Sequence, residues 1–500
     1  MEVSVARLLP TWSAWPMTDR VTGNHGVDFP EVDGRRSTTA TGRAIVADAL
    51  RPVDPIGAAA AERETNWRQG YVEHFRRLVE AGLSSADGAG RIATAGLTSV
   101  HDRLVWQDRP LSGALADLPE TTVVTERIHG SGVPDSVLTL PFRGSRLAGD
   151  DLRRQLDTWA VQGVVEPSLT AAIGSLLDER TPLDLSGWTV VVLGAGSEMG
   201  PLRTLLRWGA TVAALDLPRP DLWRRILDSA AGLPGTLLVP VRPGPGPVAE
   251  RAGIDLIEDL PTAAAWVAGL SGKLVIGNYV YADGASNVRV SAAVDALTQA
   301  VRSRRPIDEV ALAFLATPTD VFAVPGEAVA ASVQNYAERR TSKLLRVPLR
   351  TMSGGRLLRR NYVPGEDPGI NDSVVLQQGP NYLLAKRLQR WRAATARAEG
   401  ATVSFNVAPP TRTRSVVKNR ALAAAYAGAH RFGIEVFEPG TSNTLMAALL
   451  VHDLTTGAPT LGHPWRDEAD QAAHGGLWRA AYDPRSALGL AALLGIGGAR

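Results

Sequence analysis

From Asp184 onward short apolar runs alternate with amphipathic ones, and this rhythm constrains the fold more than any other feature of the chain. The apolar runs are Thr189–Leu193, Thr211–Leu215, Thr236–Val241, Lys273–Val280, Glu309–Ala316 and Thr402–Val407. Between them the helical period returns in Pro201–Trp208, Asp221–Ala231, Pro261–Leu270, Ala292–Val301 and Tyr382–Glu399. Strands separated by helices require crossover connections, and crossovers build a parallel sheet with helices on its faces. The expected fold class is therefore α/β, with a doubly wound parallel sheet.

The rhythm breaks at about 320–370, where Pro325, Gly326, Pro348, Gly354, Gly355, Pro364, Gly365, Pro368 and Gly369 cluster. This reads as an insertion before the Tyr382 helix. Residues 1–180 carry no glycine loop after a strand. Helical periods at Asn66–Ala81 and Asp150–Val161, with short strands at Thr121–Arg127 and Ser136–Phe142, suggest an α-rich N-terminal domain. A chain of 500 residues exceeds one ordinary core, so we expect that domain, a catalytic domain at 181–465 and a C-terminal tail at 466–500.

Bulk properties exclude several classes. The chain has no cysteine, which removes disulfides, thiolate catalysis and thiolate-bound metal. A net charge of +2 without a basic stripe argues against a nucleic-acid partner. Met1–Arg20 lacks the basic start and apolar core of a signal peptide, and Leu488–Gly498 is too short to span a bilayer. The expectations are a cytoplasmic protein, no membrane partner and, from the scattered histidines, no metal.

The chemistry starts in the loop after the first parallel strand. Trp188–Leu193 runs into Gly194-Ala-Gly-Ser-Glu-Met-Gly200, and the second strand ends in Asp216. A dinucleotide pyrophosphate needs backbone N–H groups at close range, which side chains would obstruct, so glycines are expected there. Gly194, Gly196, Ser197, Glu198, Met199 and Gly200 are the candidate cradle. An acid about 20 residues beyond such a loop suits the ribose hydroxyls. Asp216 therefore favours NAD(H), while Arg219 leaves room for NADP(H). A cradle and acid of this kind also serve S-adenosylmethionine methyltransferases.

The second chemical signal is Tyr382-Leu-Leu-Ala-Lys386. A spacing of four puts phenol and ammonium on one helix face. A nearby ammonium stabilises phenolate, so the pair suits proton transfer to a carbonyl or from an alcohol. Together with the strand and loop Val403-Ser-Phe-Asn-Val-Ala-Pro-Pro-Thr-Arg-Thr413, it resembles the C-terminal half of the short-chain dehydrogenase/reductase family, in which Tyr-x-x-x-Lys precedes a strand ending in Asn-x-Val-x-Pro-Gly and a nicotinamide-side Thr. The resemblance covers about residues 185–462.

That resemblance implies a Rossmann-like NAD(P)-binding domain and a small-molecule carbonyl or secondary-alcohol substrate. Family habit adds a homo-oligomer. Tyr382 and Lys386 would be catalytic, and Asp259, Asn278, Pro409, Thr411 and Thr413 would join the cofactor site. Ser373 is the favoured carbonyl-polarising hydroxyl. If Glu309–Ala316 is the fifth strand, Thr317 or Thr319 takes that place instead. Thr456-Gly457 would be the turn before a last strand. The sequence departs from the family in its glycine spacing, in Pro409-Pro410 for Pro-Gly, and in lacking the helix-borne Asn near Ala292–Arg302. Arg412 and Arg414 are either a clamp for an acidic substrate or surface charge. A methyltransferase and a catalytically degenerate scaffold are the rival functions.

Overall fold

In the computed structural model the described residues are 26–178, 182–338 and 340–497. The N-terminal segment Met1–Arg20, read as lacking a signal peptide, lies outside them. Seven strands form the main sheet: β1 (Val124–His129), β2 (Trp188–Leu193), β3 (Thr211–Leu215), β4 (Thr236–Val241), β5 (Lys273–Asn278), β6 (Val310–Ala316) and β7 (Val403–Val407). Their spatial order is β7-β6-β5-β2-β3-β4-β1. All neighbours are parallel except β1, which runs antiparallel along β4. The strand order reverses at β2, which pairs with β3 on one side and β5 on the other.

The apolar runs are nearly unbroken because both faces of the sheet are buried. Alternate residues supply two separate cores. Val191, Leu193, Ala213, Leu215, Leu274, Ile276, Leu312 and Phe314 face one, and Val190, Val192, Val212, Ala214, Val275, Ala311 and Ala313 face the other. The first core is roofed by α1 (Ala86–Arg103), α4 (Ala285–Arg302) and α5 (Gly379–Ala398). The second is covered by α2 (Leu202–Arg207) and α7 (Pro439–Thr456). The chain is thus a mixed α/β fold on a mostly parallel sheet.

Residues before 180 are tied to this sheet at several places, two of which are close-range. Strand β1 extends its edge, and α1 packs on α5 so closely that a Cβ at Gly96 would sit 2.5 Å from the Trp391 ring. A buried charge cluster crosses the same interface. Asp295 on α4 accepts a bidentate bond from Arg392 on α5 (2.7 and 2.8 Å) and bonds His101 on α1 at 2.7 Å.

The insertion is a helical excursion closed by a two-stranded hairpin, Val321–Val324 against Gly369–Asp372. One expected element differs. Gly457, at φ 78°, caps α7, but the described chain then enters the helix Pro464–Ala469, and β7 remains the sheet's edge. The remaining tail packs back as α8 (Pro484–Gly495) against α6 (Arg420–Gly428).

Candidate active site

The loops after β2, β3, β5, β6 and β7 leave the same edge of the sheet, since these strands are parallel. Ligands of open α/β sheets bind at that edge, where the strand order reverses. The glycine loop lies there. Gly194 has φ 85°, and a Cβ on it would meet the Tyr279 carbonyl at 2.9 Å. A Cβ on Gly196 would meet Leu222 Cδ1 at 2.6 Å. Gly200 meets nothing closer than 3.4 Å, so the third glycine is not sterically required.

Asp216 is bound into this loop. Its carboxylate accepts N–H bonds from Gly196 (2.7 Å) and Leu217 (2.8 Å). Burial nevertheless pushes its pKa above the ordinary carboxylate value. Ser197 and Gly200 spend their N–H groups on Gly194 and Ser197 carbonyls within the turn. Among the described residues no acceptor pairs with the N–H groups of Glu198 and Met199. That donor set suits an anionic ligand, while helix α2, of only six residues, adds little dipole.

Asp255 stands near enough to Asp216 to help raise its pKa. Asp259 occupies the N-cap position of α3 (Leu260–Ala268), exposed and without a side-chain cap bond. The chain turns sharply at Gly253 to place Ile254 N–H on the Asp216 carbonyl (3.0 Å), a proximity that no spacing rule announces.

The post-β7 loop meets the glycine loop through Glu198. Arg414 donates its backbone N–H (2.8 Å) and its Nε (2.9 Å) to that carboxylate. Arg414 is therefore a clasp between two loops and not a free clamp for an acidic substrate. Thr413 bonds Ser415 (2.9 Å). Thr411 is buried, donating to the Pro409 carbonyl (2.8 Å) and pairing with Ser442 (2.6 Å).

Tyr382 opens the second turn of α5, at the end of β6. Thr317 and Gln378 stand near enough to its hydroxyl to lower its pKa against the larger effect of burial. Thr317 bonds Thr319 (2.8 Å), which donates to Gln378 Oε1 (3.1 Å), closing a polar ring around the phenol. The ring of Tyr281 meets Tyr382 edge-on at 6.3 Å. Ser373 donates instead to Asn371 (2.5 Å). The hydroxyl beside the tyrosine thus comes from the residue that follows β6, and the insertion hides its distance from Tyr382 in sequence.

Lys386 differs from expectation in a second way. Its Nζ donates to the Leu315 carbonyl (3.2 Å) and to Gln389 Oε1 (3.3 Å). Gln389 Nε2 then donates to Asn278 Oδ1 (3.3 Å), which joins the lysine to the end of β5. Burial pushes Lys386 down to about 8, with Asp320 opposing, and pushes Tyr382 up to about 12 against the lowering effect of Thr317 and Gln378. The phenol is therefore held as an acid rather than as phenolate. Gln389, three residues after Lys386 on the same helix, and Gln378 are functional candidates that sequence reasoning passed over. A polar residue one turn beyond Lys386 was the only available signal.

The middle of α4, where the resembled family carries its Asn, holds Asp295, neutralised by Arg392. Among the described residues no three His, Asp or Glu side chains gather to hold a metal ion, and no helix is long and apolar enough to cross a membrane. No family model matches the chain, and no curated protein matches it.

Proposed function

We propose that the chain is a divergent NAD(P)-dependent oxidoreductase of the short-chain dehydrogenase/reductase kind, acting on a carbonyl/secondary-alcohol pair. The observation that carries this reading is the convergence, at one sheet edge, of a glycine loop with its acid and a Tyr382–Thr317–Thr319 hydroxyl cluster with Lys386 behind it. The parallel strands read outward from β2 as β2-β3-β4 and β5-β6-β7, the order used by dinucleotide-binding sheets.

The donor set fits such a cofactor. The N–H groups of Glu198 and Met199 would face the pyrophosphate and Asp216 the ribose, which favours NAD(H). When bound, the cofactor supplies or accepts the hydride. The chain's own residues manage the proton. The Tyr382 phenol donates to the carbonyl oxygen during reduction and recovers a proton through its ring of hydroxyls. Thr317, whose own proton goes to Thr319 because Thr319 donates to Gln378, is placed to accept from the phenol and so to orient it. Lys386 holds the Asn278 edge through Gln389.

Titration with NADH, NADPH and S-adenosylhomocysteine, read by thermal shift, tests the cradle, because a ligand that binds only the folded state raises Tm. The expected outcome is a shift with NADH that Asp216→Ala diminishes. Tyr382→Phe is expected to keep that shift while reduction slows about a hundredfold to ten-thousandfold. A shift with S-adenosylhomocysteine alone would move the protein to the methyltransferases. The clasped loop and the raised phenol pKa favour a second reading, a cofactor-binding scaffold, which predicts the NADH shift with no turnover of any carbonyl.

A further inference from the structure

A pocket opens next to Thr319 and runs away from the catalytic edge, between α6, the turn Ala429–Phe432 and α8. Its interior offers about 90 Å³ to a water-sized sphere, which limits it to a small ligand or the narrow chain of a larger one. Its walls are apolar, with Val374, Ala425, Phe432, Ile434 and Leu488 among them. Tyr426 lines this pocket and stands close enough to Tyr382 that the Tyr382 phenol, after burial, helps to raise its pKa.

Arg485, Ser373 and Thr319 on its wall are already engaged. Arg485, its charged lining residue, is paired with Asp372 at 2.7 Å. Ser373 donates to Asn371, and Thr319 belongs to the hydroxyl ring around the phenol. A charged ligand body would lose water there and gain no partner, whereas a hydrocarbon body loses nothing.

We propose that this pocket takes the hydrocarbon portion of a neutral ketone or secondary alcohol, with the oxygen turned toward Thr317, Thr319 and Tyr382. The inference rests on the oxidoreductase reading and adds the substrate class: apolar and uncharged. The tail helix α8 makes the pocket, because without it the α6 side of the pocket would open to water.

The test uses the full-length protein with NADH and a series of methyl ketones from butanone to undecanone, beside 2-oxo acids of matching length. We expect kcat/KM to rise about fourfold per added methylene until the pocket is full, the transfer value of one buried methylene. The oxo acids should be poorer by about a hundredfold or more. In Leu488→Trp and, independently, Ala425→Phe, the undecanone-to-butanone preference should fall about tenfold or more, with folding checked by Tm. A flat length dependence, a preference for oxo acids, or an unchanged preference in both folded variants overturns the proposal. If no carbonyl is reduced at all, the oxidoreductase reading fails, and undecanol binding then decides the pocket by itself. A Tm shift that grows with alcohol length and is lost in Leu488→Trp supports it, and no shift overturns it.

Discussion

At the scale of single residues, the outcome turns on which hydroxyl touches Tyr382. Thr317 does, and Ser373 is committed to Asn371. Thr317→Val is therefore expected to lower reduction about a hundredfold, while Ser373→Ala changes it less than tenfold, as steady-state kinetics would report. Burial of Lys386 gives a second residue-scale prediction. Its pKa falls from 10.5 to about 8 on folding, so between those values the unfolded chain binds more protons than the folded one. Stability then rises with pH across that window. Lys386→Met removes this dependence, so denaturant melts should show wild type gaining on the variant from about pH 8 to 10.5. A gap that stays constant with pH would mean that the lysine is not desolvated.

At the scale of elements, the crossing of α6 and α8 is the tightest contact in the tail. A Cβ on Gly428 would lie 2.0 Å from the Ala491 carbonyl, and one on Gly495 would lie 1.9 Å from the Ala424 carbonyl. The backbones touch because both positions lack side chains. Gly428→Val should push the helices apart and loosen α8, which limited proteolysis would detect as faster loss of the C-terminal segment. The strands at this scale were legible in sequence. β3 and β4 fall on their expected bounds, and β2, β5, β6 and β7 lie within two residues of them, because burial on both faces leaves long apolar runs. Helix α4 began earlier than its apolar period suggested, at Ala285, because its buried face also uses Asn287, Ser291, Asp295 and Thr298.

At the scale of the whole molecule, the buried Asp295–Arg392–His101 cluster fastens the N-terminal helices to the sheet's roof. The Arg392 guanidinium beside Asp295 holds that carboxyl below the usual carboxylate range. Removing one partner leaves an unpaired buried charge, so Asp295→Ala should cost about 3–5 kcal/mol in chemical denaturation. The N-terminal helices should be released first in hydrogen exchange. Another tie, β1 along β4, makes Val124–His129 part of the main sheet.

The sequence by itself determined the α/β class, the strand bounds, the glycine loop with Asp216, and the Tyr382–Lys386 helix. Each of these is written in local periodicity or short spacing, which a single chain segment encodes. Only the tertiary structure decided that Thr317 meets the phenol, that Asp255 stands beside Asp216, that Gln389 links Lys386 to Asn278, and that Arg414 clasps Glu198. Those contacts join residues across crossovers, an insertion and a folded-back tail, where packing of the two cores, and no periodicity, fixes what lies next to what.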